Sequence, residues 1–312
     1  MNGLEISELY YKQFGRPMLE ESFGDIMQYV CAGLVGAGSE CFGFDDEVSG
    51  DHDLDPGFCL FIPGEDIVDS ATEWKLERAY AKLPAEFMGI KRSRLVSGGA
   101  KRRGVIRTAD FYRGRIGGMR FFDDPNSWFY VSDHYLAEAV NGRVFEDNYG
   151  EFTSIREKLL DMPEDVRLKK LAGRLYLAGQ AAPYNYGRAV KRGDEGAAQL
   201  ALFEFYEQIS AAIFLFNRKY RPFYKWAMRA MRELPALAEL EGGLVFLLSA
   251  PNRSCSGDKL ETIEGIYRAI TDFALKEGYT KKVPGDIAEL AFDLNDAIRD
   301  NSLRNESILF GV

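Results

Sequence analysis

Histidine and cysteine are scarce in this chain, and each scarcity removes a class of chemistry. Only two histidines, His52 and His134, occur among 312 residues, which excludes a multi-histidine metal centre. Four cysteines, Cys31, Cys41, Cys59 and Cys255, match no zinc or redox spacing, so free thiols in a reducing compartment are expected. Long hydrophobic runs are missing too: no window approaches about 18 uncharged apolar residues. The opening MNGLEISELYYKQFGRP has no basic stretch followed by an apolar one. A cytoplasmic protein with no membrane partner is the expectation. Basic charge is not in excess either. A formal charge of -9 and a pI of about 5.1 argue against broad, unspecific binding to nucleic acid. Carboxylates must therefore supply any metal chemistry.

What is present reads as a globular chain, 46% hydrophobic and 28% charged, longer than one core usually sustains. Two domains are expected, 1–150 and 151–312, in an α+β arrangement. From Pro17 the apolar residues Met18, Leu19, Phe23, Ile26, Met27 and Val30 recur at helical spacing, and CAGLVGAG then reads as a buried strand. A second extended run lies between Gly50 and Pro63, where Pro56 suggests an edge or a bend. Residues 65–83 return to helical spacing. Strand candidates at 105–109 and in GRVFED flank a helix at about 125–140, so the sheet should be small and mixed. Beyond 150 the pattern is helical, over roughly 153–161, 164–182, 195–219, 222–233, 236–249, 258–277 and 284–300, punctuated by prolines. The apolar run EGGLVFLLSAPN is ambiguous and could be a strand.

The informative stretch is residues 33–62, GLVGAGSECFGFDDEVSGDHDLDPGFCLFI. On an extended strand Asp51, Asp53 and Asp55 project to one side. Three close carboxylates repel one another unless a cation offsets them, and hard oxygen ligands of this kind suit Mg²⁺ together with substrate phosphates. Upstream, Gly38 and Ser39 follow a strand where a turn would present backbone N–H groups and a hydroxyl to phosphate.

Gly38-Ser39, eleven intervening residues and Asp51-His52-Asp53-Leu54 resemble the signature of the nucleotidyltransferase superfamily shared by DNA polymerase beta and the aminoglycoside nucleotidyltransferases. More narrowly, GSECFGFDDEVSGDHD resembles an uncharacterised bacterial group within it. The resemblance implies a minimal mixed sheet with flanking helices. It implies that Asp51 and Asp53 coordinate Mg²⁺, two ions with nucleotide bound, and that Gly38 and Ser39 hold the β,γ-phosphates of ATP or another nucleoside triphosphate. The reaction would be in-line transfer of a nucleoside monophosphate to an acceptor hydroxyl in the cleft between the domains, on a small molecule first, with RNA or protein as lesser alternatives. Two departures stand out. His52 occupies a position that is usually apolar, and the third carboxylate has no unambiguous match. Asp110 is its best candidate by order along the chain, with Glu146 or Asp147 as rivals. Without that carboxylate, a nucleotide- or partner-binding protein of the same fold becomes the alternative.

Other charged residues have plainer readings. Asp55 precedes Pro56 and is expected to cap a turn, while Asp45 and Asp46 shape their loop. Lys91, Arg92, Arg94, Lys101, Arg102 and Arg103 read first as a solvated basic loop, although they could receive a phosphate-bearing acceptor. In NRKYRPFYKW, Lys225 is a candidate for the triphosphate, because helical domains of aminoglycoside-type enzymes look similar in placing a lysine there. His134 reads as a boundary residue rather than a catalytic one.

Overall fold

The computed structural model describes residues 1–46, 55–92, 102–281 and 283–312. The fold is α+β: an N-terminal mixed four-stranded sheet with helices, followed by a largely helical region. The chain divides into two compact units. One comprises Met1–Asp124 with His134–Asp161, and the other comprises Pro125–Asp133 with Met162–Val312. No described helix is long and apolar enough to cross a membrane.

In the first unit the strands are β1 (Cys31–Leu34), β2 (Cys59–Ile62), β3 (Glu86–Phe87), β4 (Ile90–Lys91), β5 (Gly104–Arg107) and β6 (Arg143–Asp147). The sheet order is β5-β2-β1-β6, and β3 and β4 form a separate hairpin. β1 runs antiparallel to β2, with Cys31 opposite Phe61 and Gly33 opposite Cys59, and antiparallel to β6. β2 and β5 run parallel, Cys59 beside Gly104. Both β1 and β2 are central and buried at every position, which is why their sequences run continuously apolar rather than alternating. Pro56 therefore marks the approach to an interior strand, not an edge. At Gly33 the β1–β6 register shifts, and a Cβ there would stand 2.7 Å from the Arg143 carbonyl oxygen, so only glycine admits β6 this closely.

The helical spacing read from Pro17 onward resolves into two short helices, Arg16–Ser22 and Gly24–Met27. A further helix precedes them, Gly3–Tyr10, started by a capping box between Asn2 and Glu5 and continuing through a π-turn at Tyr11–Gly15. It delivers Tyr10 and Tyr11 against Phe58 and Tyr80, an aromatic knot with centroids 5.0–5.8 Å apart that anchors the unit's core. The helix read over 65–83 is Ser70–Ala81, begun by the Asp69 side chain on the Thr72 N–H.

The second unit is built on the Glu195–Phe216 helix, which is apolar almost all round. From Gln208 to Phe216 every residue is buried, the pattern of a helix at the centre of a bundle. Around it pack Glu164–Gly179, Tyr186–Arg192, Glu241–Ser249 and Asn252–Lys276, and Ile287–Asp296 packs in turn on Glu164–Gly179. EGGLVFLLSAPN is thus helical rather than extended. The helix read over 164–182 ends at Gly179 and a π-turn, Gln180–Asn185, follows. Ile209→Ala should destabilise this unit by about 2–5 kcal/mol, whereas Leu200→Ala on the exposed face of the same helix should change stability by less than about 0.5 kcal/mol. Urea unfolding of the two variants checks the contrast.

Candidate functional site

Strand direction decides which loops share an end of the sheet. Because β1 is antiparallel to β2, the turn after Leu34 lies at the end where the chain enters β2. Because β5 is parallel to β2, Arg102 and Arg103 enter at that same end. The sheet thereby gathers the Gly36–Ser39 turn, Asp55 and the two arginines.

The turn is held by its backbone. Asn141 clamps Gly36 from both sides, accepting from its N–H at 2.8 Å and donating to its carbonyl at 2.8 Å. Gly36 and Gly38 have φ of +113° and +128°, conformations that favour glycine. A Cβ on Gly38 would collide with the Arg102 guanidinium and the Glu40 carboxylate, so the backbone here is approached closely by charged groups. Ser39 is 1% exposed, and its hydroxyl has no hydrogen-bond partner among the described residues.

Glu40, also 1% exposed, takes a charged bond from Arg103 and a longer one from Arg102 at 3.3 Å, leaving its Oε2 unpartnered. Arg103 is buried. Desolvation by itself would lower its pKa, but its neighbours Cys41, Cys59, Glu40 and Asp55 outweigh that and hold it above the ordinary arginine range. A third guanidinium, Arg115, stacks 3.9 Å over the Phe111 ring and would stand 2.7 Å from a Cβ on Gly36. Burial pushes its pKa down, and its Nε has no hydrogen-bond partner. Six buried side-chain polar atoms lack a partner among the described residues. Five belong to this unit: Ser39 Oγ, Glu40 Oε2, Asp45 Oδ1, Arg103 Nε and Arg115 Nε. A buried hydroxyl and guanidinium groups at a glycine turn are donors suited to phosphate, whereas the Glu40 and Asp45 carboxylate oxygens beside them can only accept.

Asp51 and Asp53 lie outside the described residues. Among the described residues no group of three or more His, Cys, Asp or Glu side chains could hold a metal ion. Asp55 is buried and its carboxylate accepts from the Gly57 N–H at 2.7 Å, the turn-capping arrangement its sequence suggests. Asp110 sits in the first turn of the Thr108–Ile116 helix, which leaves the opposite end of β5. It is exposed and paired with Arg113 at 2.7 Å, so the structure does not bring it together with Gly38 and Ser39. Glu146 and Asp147 are likewise on the far end of β6, where Glu146 accepts from Tyr11 and Asn148, and Asp147 from Gly150 and Thr153.

Lys225 belongs to the other unit, exposed, with its Nζ 5.3 Å from the centre of the Trp226 ring. Arg92 is committed to the carbonyls of Tyr80 and Ala81. Glu40 and Arg115 escaped the sequence reading. The signal for Glu40 was its place beside Ser39, and for Arg115 its spacing of four from Phe111 on a helix.

A family model described as a domain of unknown function (DUF4037) matches residues 128–227, about a third of the chain. A comparison with curated proteins found no match. The matched stretch begins beyond residues 33–62.

Glu40→Ala should cost about 3–5 kcal/mol, because it leaves the Arg103 charge buried and unpaired, whereas Glu40→Met with Arg103→Met should cost much less. Denaturant unfolding of the single and double variants checks this. Burial, only partly countered by the Arg103 charge, pushes the Cys41 thiol up to about 12. Its protonated form is thus favoured in the fold. That stabilisation is full below about pH 8.5 and is lost as pH rises toward 12. Iodoacetamide at pH 8 should spare Cys31, Cys41 and Cys59 in the folded protein and react with half-buried Cys255.

Proposed function

We propose that the chain is a magnesium-dependent nucleotidyltransferase, transferring a nucleoside monophosphate, AMP from ATP in the leading reading, to a hydroxyl of a small-molecule acceptor. One observation carries the reading. A buried, unpartnered Ser39 hydroxyl follows a positive-φ glycine in a turn ringed by arginines, at the end of the sheet where Asp55 precedes β2. It is supported by the resemblance of Gly38-Ser39 and Asp51-His52-Asp53 to the nucleotidyltransferase signature.

In this reading Gly38 offers backbone without a side chain in the way, the Ser39 hydroxyl donates to a terminal phosphate oxygen, and Arg102 and Arg115 offset phosphate charge. Asp51 and Asp53 would hold magnesium, which when bound neutralises triphosphate charge and makes the acceptor hydroxyl easier to ionise. The acceptor oxygen bonds to the α-phosphorus, the bond from that phosphorus to the pyrophosphate oxygen breaks, and pyrophosphate leaves. Asp110 is assigned the acceptor's proton by order along the chain alone. Its pairing with Arg113 at the far end of β5 favours a second reading, a nucleotide-binding protein of the same fold without turnover.

Calorimetric titration of ATP, GTP, CTP and UTP with and without Mg²⁺ tests the proposal. One nucleotide should bind only with the metal, Asp53→Asn should abolish that binding, and Ser39→Ala should weaken it about tenfold. Wild-type affinity in Asp53→Asn would sink the site assignment. Binding without nucleotide consumption, in wild type and Asp110→Asn alike, would establish the second reading.

A further inference from the structure

The helical unit contains a cavity of about 940 Å³ that the proposed transfer does not use. Its volume falls in the range of pockets that enclose drug-sized molecules. The cavity arises where one helix fails to continue. After Gly179 the chain makes the π-turn Gln180–Asn185, in which Ala182 is extended (φ −149°, ψ 142°), before the Tyr186–Arg192 helix begins. Such local departures from α geometry often accompany functional sites. Gly179, Pro183, Pro284 and Ile287 give the cavity an apolar floor, and Gly179 lies so near Ile287 that a Cβ would be 2.9 Å from its Cγ2.

On this floor the turn presents Tyr184, 58% exposed. Arg188 holds it twice, with its guanidinium 4.6 Å from the ring centre and Nη1 donating to the hydroxyl at 2.7 Å. A ring fixed on one side by an arginine offers a flat surface at little further entropic cost.

The facing wall is the Asn252–Lys276 helix, which sends Glu264, Arg268 and Asp272 into the cavity. These residues are spaced by four, a separation at which acid and base usually pair, with Cβ atoms roughly 5–6 Å apart. None of the three, nor Lys191 across the cavity, forms an ion pair with another described residue. Asp286, the remaining acid of the lining, is occupied in capping its own helix at the Glu289 N–H. A purely anionic ligand would meet Glu264 and Asp272, and a purely cationic one would meet Arg268 and Lys191. A molecule carrying both signs satisfies all four.

We propose that this cavity binds a small zwitterion with an aromatic body, of the size and charge layout of an aromatic dipeptide. The ring lies against Pro183 and Tyr184, the ammonium meets Glu264 or Asp272, and the carboxylate meets Arg268 and Lys191. The ends of an extended dipeptide are roughly 7 Å apart, close to one turn of the facing wall. This inference does not rest on the nucleotide reading, and the failure of either leaves the other standing.

The test is calorimetric titration of phenylalanyl-alanine into the full chain, beside its N-acetylated and C-amidated forms. The free dipeptide should bind at a single saturable site. Each capped form should bind about tenfold more weakly, as should the free dipeptide to Arg268→Ala and to Tyr184→Ala. Both substituted residues are exposed, so thermal unfolding should be unchanged in both variants. No saturable binding at millimolar dipeptide, or binding indifferent to both caps or to Arg268→Ala, overturns the proposal.

Discussion

The antiparallel pairing of β1 with β2 is the constraint on which the α/β unit's chemistry depends. With Gly33 opposite Cys59, the chain leaves β1 and enters β2 at one end of the sheet, and the parallel β5 brings Arg102 and Arg103 to that end as well. Reversing either strand would scatter these groups. Assembled there, Glu40 and Arg103 form an ion pair with almost no solvent, tolerable only because each partner compensates the other's desolvation. Their pairing also fixes the floor beneath the glycine turn, since Glu40 and Arg102 together occupy the space a Gly38 side chain would need.

The helical unit handles buried charge differently. The Glu164–Gly179 helix carries Arg167, Lys169 and Lys170 inside, each with defined acceptors. Lys169 donates to the Asn295 side chain and the Glu306 carbonyl, at 2.9 and 2.7 Å. Lys170 bonds Asp133 at 2.7 Å. Burial would raise the Asp133 carboxyl, but Lys170, Arg174 and Arg221 outweigh it and hold the group below the ordinary range. These cations lock the Pro125–Asp133 segment and the C-terminal helices to the bundle, which is work for structure rather than for a ligand.

Much of this was legible in the sequence, for identifiable reasons. Continuous apolar runs marked β1 and β2 because both faces of each strand are covered, and periodic apolar residues with proline punctuation marked the bundle. Gly3–Tyr10 was not read, because eight residues are too few to show a sustained apolar period. The Tyr186–Arg192 helix was not read because Pro183 looked like a terminus, whereas the chain bends and restarts within three residues. Gly38 and Ser39 drew notice in the sequence because small residues there follow a buried apolar strand. Arg103 was named only within a solvated basic loop, and the weight of Glu40 and Arg115 comes from burial and from neighbours distant in sequence. A run of basic residues looks the same on paper whether solvated or, like Arg103, folded inward against a carboxylate.

The distribution of unsatisfied atoms separates the two units more sharply than their secondary structure does. A buried polar atom without a partner costs about 1–3 kcal/mol, so a fold retains few of them. Among the described residues the helical unit has one, Arg174 Nε, despite its many internal charges. The α/β unit has five, drawn from a hydroxyl, two carboxylates and two guanidinium groups, with Ser39, Glu40, Arg103 and Arg115 all beside the Gly36–Ser39 turn. Packing alone does not explain that concentration, since the same chain satisfies comparable groups elsewhere. The hydroxyl and the two guanidinium groups are donors that an anion would match, whereas the two carboxylate oxygens are acceptors that it would not.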